Sequence, residues 1–297
     1  MAEWTAEWTH HDLRRLCAAG RSITKGPLND TYAGTLGGRP VFVRHRVLDD
    51  PGYGQTFAGE RYVSALLSGR VRVPEVLQVV ADEQGRDRFA VFEFVDGRAP
   101  DWEAPEVLTA LADRLLAIHA IPADGLGDVG GALSRTAVPR YLLDLIRREC
   151  ELLPRHAGDP LIGAPDALAG AMACFEGERP CLCHGDVHRE NWLVDQAGEL
   201  WTLDWEAARF RVAAADFNQM RAGWLTAGQE EIVLSRYLER SGRDRAVFTR
   251  QIAILRLLWH IRTYNFQVLV RGRSPRRHRE NLDAANVLLG EILRGTP

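Results

Sequence analysis

Lysine is almost missing from this sequence: Lys25 is the only one among 37 basic side chains, and the rest are arginines. Any role that usually falls to a lysine must therefore be filled by Lys25 or by an arginine. A strong charge of one sign is missing as well, since the formal net charge is −3. Such a weak overall field excludes polyanion binding as the default, so we expect no nucleic acid and no membrane among the partners.

Cysteines are few, and long hydrophobic runs are absent. Five cysteines in a chain of 297 residues do not form a disulfide framework, which favours a reducing environment. The N-terminus carries acids and tryptophans where a secretory signal needs a basic start, and no apolar run approaches the length of a membrane span. The sequence predicts a soluble cytoplasmic protein, either a monomer or a dimer.

Strand signals dominate the first part of the chain, and helix signals dominate the rest. Two hairpins with alternating apolar residues flank one helical stretch, "TFAGERYVSALLSG". Beyond about residue 97 the apolar spacing is mostly that of amphipathic helices, interrupted by the short strand candidates "NWLVD" and "LWTLDW". The predicted fold class is α+β, with a small β-rich domain over 1–95 and a larger helical domain over 96–297. Ligand sites favour the junction of two such domains.

The stretch "CLCHGDVHRENWLVD" places many polar groups between two apolar strands. His184 and Asp186, followed by Asn191, match the order and spacing of a loop in which an aspartate faces a substrate hydroxyl and an asparagine faces a metal. Asp204 stands at the end of the next strand candidate, across a hairpin. Amide and carboxylate oxygens are ligands that Mg²⁺ accepts, so Asn191 and Asp204 are candidate metal ligands.

Two other interpretations of this stretch stay open. Cys181, Cys183, His184 and His188 offer the ligand types of a zinc site. Against zinc, two cysteines two positions apart on a strand point the same way, and no second Cys/His cluster follows. The stretch is otherwise a solvated polar loop. Analysis of bound metal separates the zinc interpretation from the others.

The paired motifs resemble those of the aminoglycoside phosphotransferase and choline kinase family. "HGDVHRENWLVD" and "LDWE" are similar to its two signature segments, and Asp216 in "AAADFNQM" resembles the aspartate at the start of its next helix. The resemblance extends from residue 22 to about residue 270. It implies a bilobal protein-kinase-like fold and phosphorylation of small-molecule hydroxyls.

The resemblance also implies roles for the loop residues. Asp186 would be the catalytic base or the carboxylate that orients the acceptor, and Asn191 and Asp204 would bind magnesium. His184 would be a structural member of the loop. His188 is a catalytic candidate that would stabilise the loop or contact the substrate.

The nucleotide side departs from the kinase pattern at one position. In "VFVRH", Arg44 stands where a kinase has its phosphate-binding lysine, and Glu60 is its expected ion-pair partner. Arg44 therefore takes the lysine's role, or the enzyme is impaired, or Arg44 is merely a surface residue of the strand. "KGPLNDTY" resembles the turn that covers the nucleotide, and "FEFVDG" resembles the hinge that binds a purine, with ATP and GTP both possible. The candidate nucleotide-binding residues are Gly26, Asn29, Asp30, Arg44, Glu60, Glu93 and Val95.

The acceptor is expected to be a small molecule. Only about ten residues separate Asp204 from a helix expected near Ala215, which leaves no room for a peptide-docking segment. Residues 236–297 are rich in arginine and poor in acids, which favours an uncharged or anionic acceptor over a polycationic one, unless these arginines lie on solvated faces. Trp224, His260 and Tyr264 are candidate acceptor contacts, with Trp259 and Asn265 beside them, although such aromatic residues are more often core.

The predicted function is transfer of the γ-phosphate of ATP or GTP, with Mg²⁺, to a hydroxyl of an antibiotic or related metabolite, which would give resistance. A nucleoside-type antibiotic fits the basic tail better than an aminoglycoside. The alternatives are a catalytically silent nucleotide-binding module and a metabolic kinase for a sugar or an amino alcohol. Phosphate transfer from labelled nucleotide distinguishes the silent module from the two enzymes.

Overall fold

The computed structural model describes residues 7–26, 29–47, 56–154, 160–220 and 224–295. The chain divides into two compact units that alternate along the sequence. The first comprises Met1–Asp101, Asp128–Gly131 and Arg189–Ala208, and the second comprises Trp102–Gly127, Ala132–His188 and Arg209–Pro297. A single boundary after residue 95 does not reproduce this division, because a strand at Gly97–Arg98 pairs with a strand at Trp192–Asp195 and so joins Arg189–Ala208 to the first unit.

The regular elements of the described residues follow the chain in this order. The strands are β1 (Arg21–Lys25), β2 (Asn29–Leu36), β3 (Arg39–Arg46), β4 (Val76–Ala81), β5 (Asp87–Glu93), β6 (Gly97–Arg98), β7 (Gly127–Asp128), β8 (Cys181–Cys183), β9 (Trp192–Asp195), β10 (Leu200–Thr202) and β11 (Arg209–Arg211). The α-helices are α1 (His10–Ala19), α2 (Phe57–Leu67), α3 (Pro105–His119), α4 (Val138–Glu151), α5 (Ala164–Leu168), α6 (Ala227–Ser241), α7 (Arg245–Asn265) and α8 (Arg279–Arg294).

An antiparallel sheet with strand order β1-β2-β3-β5-β4 forms the centre of the first unit. Both predicted hairpins are confirmed, β2 with β3 and β4 with β5, and β3 pairs with β5 to join them. Val41 and Val43 alternate with exposed or half-exposed neighbours and are fully buried in one cluster with Phe89. α1 covers the same cluster through Leu13 and Leu16. Because side chains alternate along a strand, Arg44 lies on the face of β3 opposite to Val43 and His45, away from this cluster.

The predicted helix after the first hairpin is α2, which begins after Thr56. The Thr56 side chain accepts the amide N–H of Gly59, a typical N-cap. The buried face of α2 carries Phe57, Val63 and Glu60. A carboxylate on the apolar face of a helix is costly unless it is paired, so Glu60 indicates a partner nearby.

The predicted hairpin between the two motifs is also present. β9 and β10 pair antiparallel, with Trp192 opposite Thr202, and β6 adds a third strand to this small sheet. The amide of Leu203 donates to the carbonyl of Asn191 at 2.8 Å, which extends the pairing by one step. Asp204 directly follows Leu203. Asn191 and Asp204 therefore lie at the same end of the hairpin.

Helices make up most of the second unit. α3 packs on α6 and α7 packs on α8, while β8 and β11 form a short antiparallel pair beside them. None of the helices in the described ranges has both the length and the apolar composition needed to cross a membrane.

Two helices predicted for this unit are wrong in type. "DALAGAMACF" forms a single α-helical turn, α5, followed by a 3-10 helix at Ala169–Phe175, as expected from the low helix propensity of its glycine. The helix expected near Ala215 is a 3-10 helix at Ala213–Phe217. All five residues of that segment are buried, and its Asp216 carboxylate binds backbone amides elsewhere, so its position is set by packing rather than by helix propensity.

At Gly20, the end of α1 lies so close to β2 that there is no room for a side chain. A Cβ atom at Gly20 would lie 2.7 Å from the carbonyl oxygen of Leu16 and 2.9 Å from that of Ala33. We expect Gly20→Ala to lower the free energy of unfolding by about 1–3 kcal/mol, because backbone atoms cannot move away as a flexible side chain can. Gly228→Ala in α6 is the matched control, since a Cβ there meets nothing within 4 Å. Urea unfolding of both variants measures the difference, and equal stabilities would contradict this account.

Candidate active site

Arg44 is the centre of a charged cluster in the first unit. Its Nη1 donates to both carboxylate oxygens of Glu60, at 3.0 and 2.8 Å, so the predicted ion pair is confirmed. Its Nη2 donates to Asp204 at 2.9 Å and to Glu206 at 3.1 Å. The Arg44 side chain is only 11% exposed, which excludes the interpretation of Arg44 as a surface strand residue.

Glu206 is a member of this cluster that the sequence reasoning missed. Its Oε2 also accepts a hydrogen bond from the side-chain amide of Asn29, at the start of β2. Glu206 thereby joins the hairpin strand β2 to the segment that carries Asp204. The available signal was the last letter of "LDWE", an acid two positions after Asp204 in a motif already singled out.

Three carboxylates surround one guanidinium, and the charges do not balance. Burial works against the charge of Arg44, but Asp204, Glu60 and Glu206 outweigh it and raise the pKa of Arg44 above its usual range. Burial raises the pKa of Glu60 to about 7, since Arg44 only partly offsets the loss of water. The cluster thus holds an excess of negative charge, which a further cation would reduce.

Asn191 and Asp204 supply oxygen ligands of the kind that magnesium takes. Asn191 ends a 3-10 helix at Arg189–Asn191, and Asp204 lies across the β9–β10 hairpin from it. Among the non-glycine residues that the structure describes, Asp204 alone has a positive φ, with φ 58° and ψ 75°. Left-handed backbone at a non-glycine residue is concentrated at functional sites. The donor chemistry and the excess negative charge fit Mg²⁺.

The turn before β2 is tight and closed by its own backbone. The amide of Gly26 donates to the carbonyl of Asn29 at 2.9 Å, and a Cβ at Gly26 would lie 2.8 Å from that same oxygen. Asp30 accepts the hydroxyl of Tyr32 at 3.3 Å. Pro27 and Leu28, also part of the predicted nucleotide-covering turn, lie outside the described residues.

One backbone group of the predicted hinge, Glu93–Val95, already takes part in a hydrogen bond within the first unit. The amide of Glu93, at the end of β5, donates to the carbonyl of Glu75 at 2.9 Å. This bond takes up one of the groups expected to meet a purine. Val95 is buried. A nucleotide contact by the backbone of Phe94 or Val95 stays a prediction.

The loop that carries Asp186 lies in the second unit and is held by Asp216. The backbone amides of His184 and Gly185 each donate to the Asp216 carboxylate at 2.8 Å. The amide of Asp186 donates to Nδ1 of His184 at 3.2 Å. His184 is fully buried, in agreement with its predicted structural role. These bonds fix the backbone on both sides of Gly185 and so the direction of the Asp186 side chain.

Asp216 is also held by a buried chain of hydrogen bonds through His119 and Tyr237. Nε2 of His119, the last residue of α3, lies 3.0 Å from the Asp216 carboxylate, and its Nδ1 lies 2.8 Å from the Tyr237 hydroxyl of α6. Burial disfavours the charged imidazole, but the hydrogen bond to Asp216 outweighs burial and raises the pKa of His119. Sequence reasoning missed both His119 and Tyr237.

Among the described residues, the four candidates of the zinc interpretation, Cys181, Cys183, His184 and His188, do not come together as a group of metal ligands. Cys181 and Cys183 lie on β8, and Cys183 contacts the carbonyl of Val212 at 3.4 Å. Burial raises the pKa of Cys183, which opposes the thiolate that zinc needs. In the described ranges, the one group of three potential metal ligands is His119, Cys183 and Asp216. Hydrogen bonds already occupy its imidazole and carboxylate atoms.

The predicted acceptor residues fall in two places of the second unit. Trp224 is 5% exposed and packs edge-on against Trp102 at 4.8 Å, with the His188 ring 6.3 Å away. His260 is half-buried, and its Nδ1 lies 3.2 Å from the side-chain oxygen of Asn281. Tyr264 is 3% exposed, as a core residue is. Of the neighbouring residues, Asn265 donates to Glu149 and so fastens α7 to α4.

A sequence model of the phosphotransferase enzyme family matches residues 19–249, more than three quarters of the chain. The chain belongs to this family. The resemblance and the enzyme class, phosphotransferase with an alcohol group as acceptor, are thus confirmed. None of the proteins with curated descriptions matches the sequence of this phosphotransferase.

Solved structures with the same fold include three antibiotic phosphotransferases. A thermostable mutant of aminoglycoside phosphotransferase APH(4)-Ia, in ternary complex with AMP-PNP and hygromycin B, is 19% identical with a TM-score of 0.67 over 93% of each chain. Macrolide 2'-phosphotransferase MphH from Brachybacterium faecium is 18% identical with a TM-score of 0.65, over 92% of this chain and 96% of that chain. A GDP complex of a mutant aminoglycoside 2'-phosphotransferase-IIIa is 16% identical with a TM-score of 0.62, over 92% and 90%. The predicted fold class is confirmed.

The ion pair in the phosphotransferase gives a stability prediction. We expect Arg44→Met to lower the free energy of unfolding at pH 8 by about 3 kcal/mol, because it leaves the Glu60 carboxylate buried beside Asp204 and Glu206 without a cation. Arg86→Met is the control, since Arg86 pairs with Asp82 from a side chain that is 52% exposed. Chemical unfolding compares the two variants. A similar loss of unfolding free energy in both would show that the buried pair contributes no more to stability than an exposed one.

The raised pKa of His119 gives a pH prediction. A histidine whose pKa is higher in the folded than in the unfolded state stabilises fully below its unfolded value of about 6.5, and this contribution is lost as pH rises through the folded pKa. We expect the stability gap between the wild type and His119→Gln to be wider at pH 6 than at pH 8.5. Exposed His11→Gln, which makes the same substitution at the surface, is the control. A gap of constant size for His119→Gln would contradict the predicted shift.

Proposed function

We propose that the protein transfers the γ-phosphoryl group of ATP or GTP to a hydroxyl of an antibiotic or a closely related small metabolite in the cytoplasm. The observation that carries the proposal is the contact of Arg44 with both Glu60 and Asp204. In kinase-like enzymes, an ion pair between a strand cation and a helix glutamate, and an aspartate for the metal, are the parts that must be in place for phosphoryl transfer. Arg44 joins these parts in one cluster.

The residues divide the work of the reaction. Arg44, oriented by Glu60, would bind phosphate oxygens through the planar fork of its guanidinium. Asn191 and Asp204 would hold Mg²⁺, which neutralises charge on the phosphates when it is bound. Asp186 would accept the proton of the acceptor hydroxyl and aim its oxygen at the phosphorus. The complexes of related enzymes with AMP-PNP and with GDP support either nucleotide as the donor.

For the acceptor we propose an uncharged or anionic compound with a ring system, such as a nucleoside-type antibiotic. The half-buried rings of Trp102 and His188, which lie against the buried Trp224, support ring binding. The C-terminal segment carries less unpaired positive charge than the sequence indicated, because several of its arginines are paired with acids of the same unit. These pairs are Arg236 with Asp113, Arg243 with Glu178, Arg256 with Glu230, and Arg262 with Glu149.

The second candidate is a catalytically silent nucleotide-binding module, and the arginine in place of lysine favours it. Arg44 is held by three carboxylates, so phosphate oxygens would compete with Asp204 and Glu206 for Nη2. If this competition prevents productive binding, nucleotide binds without transfer. A panel of hydroxylated antibiotics, incubated with Mg²⁺ and labelled ATP or GTP, separates the two functions by mass spectrometry of the products.

Asp186→Ala tests the enzymatic proposal directly. We expect the loss of turnover to exceed about 100-fold, because the variant has no group to take the hydroxyl proton. Nucleotide affinity and the circular dichroism spectrum should stay unchanged. Asp166→Ala, at a side chain that is 92% exposed, is the matched control and should keep full turnover. Unchanged turnover in Asp186→Ala would refute the assignment.

A further inference from the structure

The side chain of Gln219 lies between Asp186 and Trp259 and is positioned to bind both. With the amide nitrogen toward Asp186, it donates to Oδ1 at 3.0 Å, and the amide oxygen accepts the indole N–H of Trp259 at 3.0 Å. The opposite amide orientation satisfies neither neighbour and leaves only a 3.4 Å contact to the carbonyl of Gly185. Hydrogen bonding therefore selects one orientation, because the carboxylate can only accept and the indole N–H can only donate.

α7 holds the backbone next to Gln219 as well. Arg256, three residues before Trp259 and therefore on the same side of the helix, donates to the carbonyls of Phe217 and Asn218 at 3.3 and 3.1 Å. Its guanidinium also pairs with Glu230 at 2.6 Å. The backbone before Gln219 and the Gln219 side chain are thus both fixed by one face of α7. Gln219 cannot turn away from Asp186 without breaking contacts to this helix.

We propose that Gln219 is a positioning residue for Asp186 and that Trp259 keeps the Gln219 amide in its working orientation. The proposal rests on Asp186 being the group that receives the acceptor proton. The Gln219 N–H on Oδ1 would hold the Asp186 carboxylate in one orientation toward the acceptor hydroxyl. An amide turned the other way would point its oxygen at the carboxylate, and two acceptors facing each other repel.

The contacts predict different effects on kcat and KM. Gln219→Leu is close in size and removes the donor to Asp186, so we expect kcat to fall about 10- to 100-fold, as for loss of a hydrogen bond to a charged group. KM for the nucleotide should stay within about twofold. Trp259→Phe keeps a ring but removes the N–H, and we expect a smaller fall in kcat, about 3- to 10-fold. Trp201→Phe is the matched control, because it removes an indole N–H that binds Asp195 on a different strand.

The double variant separates positioning from general packing. If Trp259 acts only through Gln219, Gln219→Leu combined with Trp259→Phe should be no slower than Gln219→Leu alone. Effects that multiply would overturn the proposed chain, and so would a kcat within twofold of wild type in Gln219→Leu. Gln219→Asn, which keeps the amide on a shorter side chain, should recover part of kcat; no recovery would also count against positioning.

A measurement that needs no turnover keeps this inference distinct from the proposed function. In protein with ¹⁵N-labelled tryptophan, Trp259→Phe identifies the Trp259 indole resonance. We expect that resonance to move upfield in Gln219→Leu, because its hydrogen bond is lost, and to stay in place in Trp201→Phe. An unmoved resonance means that the hydrogen bond is absent. If it moves but Asp186→Ala retains turnover, the contact exists and the proposed role of Asp186 is what fails.

Discussion

The loop that carries Asp186 depends on one buried carboxylate. Asp216 is 2% exposed and accepts the amides of two successive loop residues, His184 and Gly185. His119 adds a third contact from the opposite side. A buried anion is costly unless donors surround it, and here two of the donors belong to the loop itself. The loop therefore cannot change its backbone without leaving a charge unpaired in the core, so its shape is maintained by the stability of the second unit.

In the first unit the charges are reversed: a buried cation, Arg44, is surrounded by several acids. Glu60 is 2% exposed on its side chain, while Asp204 and Glu206 are 33% and 25% exposed. The enclosed carboxylate holds the guanidinium in a fixed orientation, while the two more accessible ones keep part of their surface in contact with solvent. Partial exposure of Asp204 and Glu206 is compatible with the proposed binding of a metal and phosphates by these residues.

Local pattern predicted the parts of the structure whose contacts are local. The hairpins β2–β3, β4–β5 and β9–β10 follow from alternation and turns, and the Arg44–Glu60 pair followed from the family resemblance. The residues that were missed act at a distance. His119 is separated in sequence from Tyr237 by 118 positions and from Asp216 by 97. No local spacing pattern in the sequence can therefore predict these contacts. The 3-10 helix at Ala213–Phe217 was predicted as an ordinary helix for the same reason, because distant partners determine it.

The near absence of lysine is consistent with the geometry at Arg44. A guanidinium has two separate terminal nitrogens, and here Nη1 serves Glu60 while Nη2 serves Asp204 and Glu206. A lysine has one nitrogen at the end of a flexible chain, which cannot hold acids on two sides in fixed directions. Glu206 therefore belongs to the same arrangement around Arg44. It occupies, together with Asp204, the second nitrogen that only an arginine has, and Asn29 fixes it there. Replacing Arg44 by lysine alone would keep the charge but lose the connection between Glu60 and Asp204.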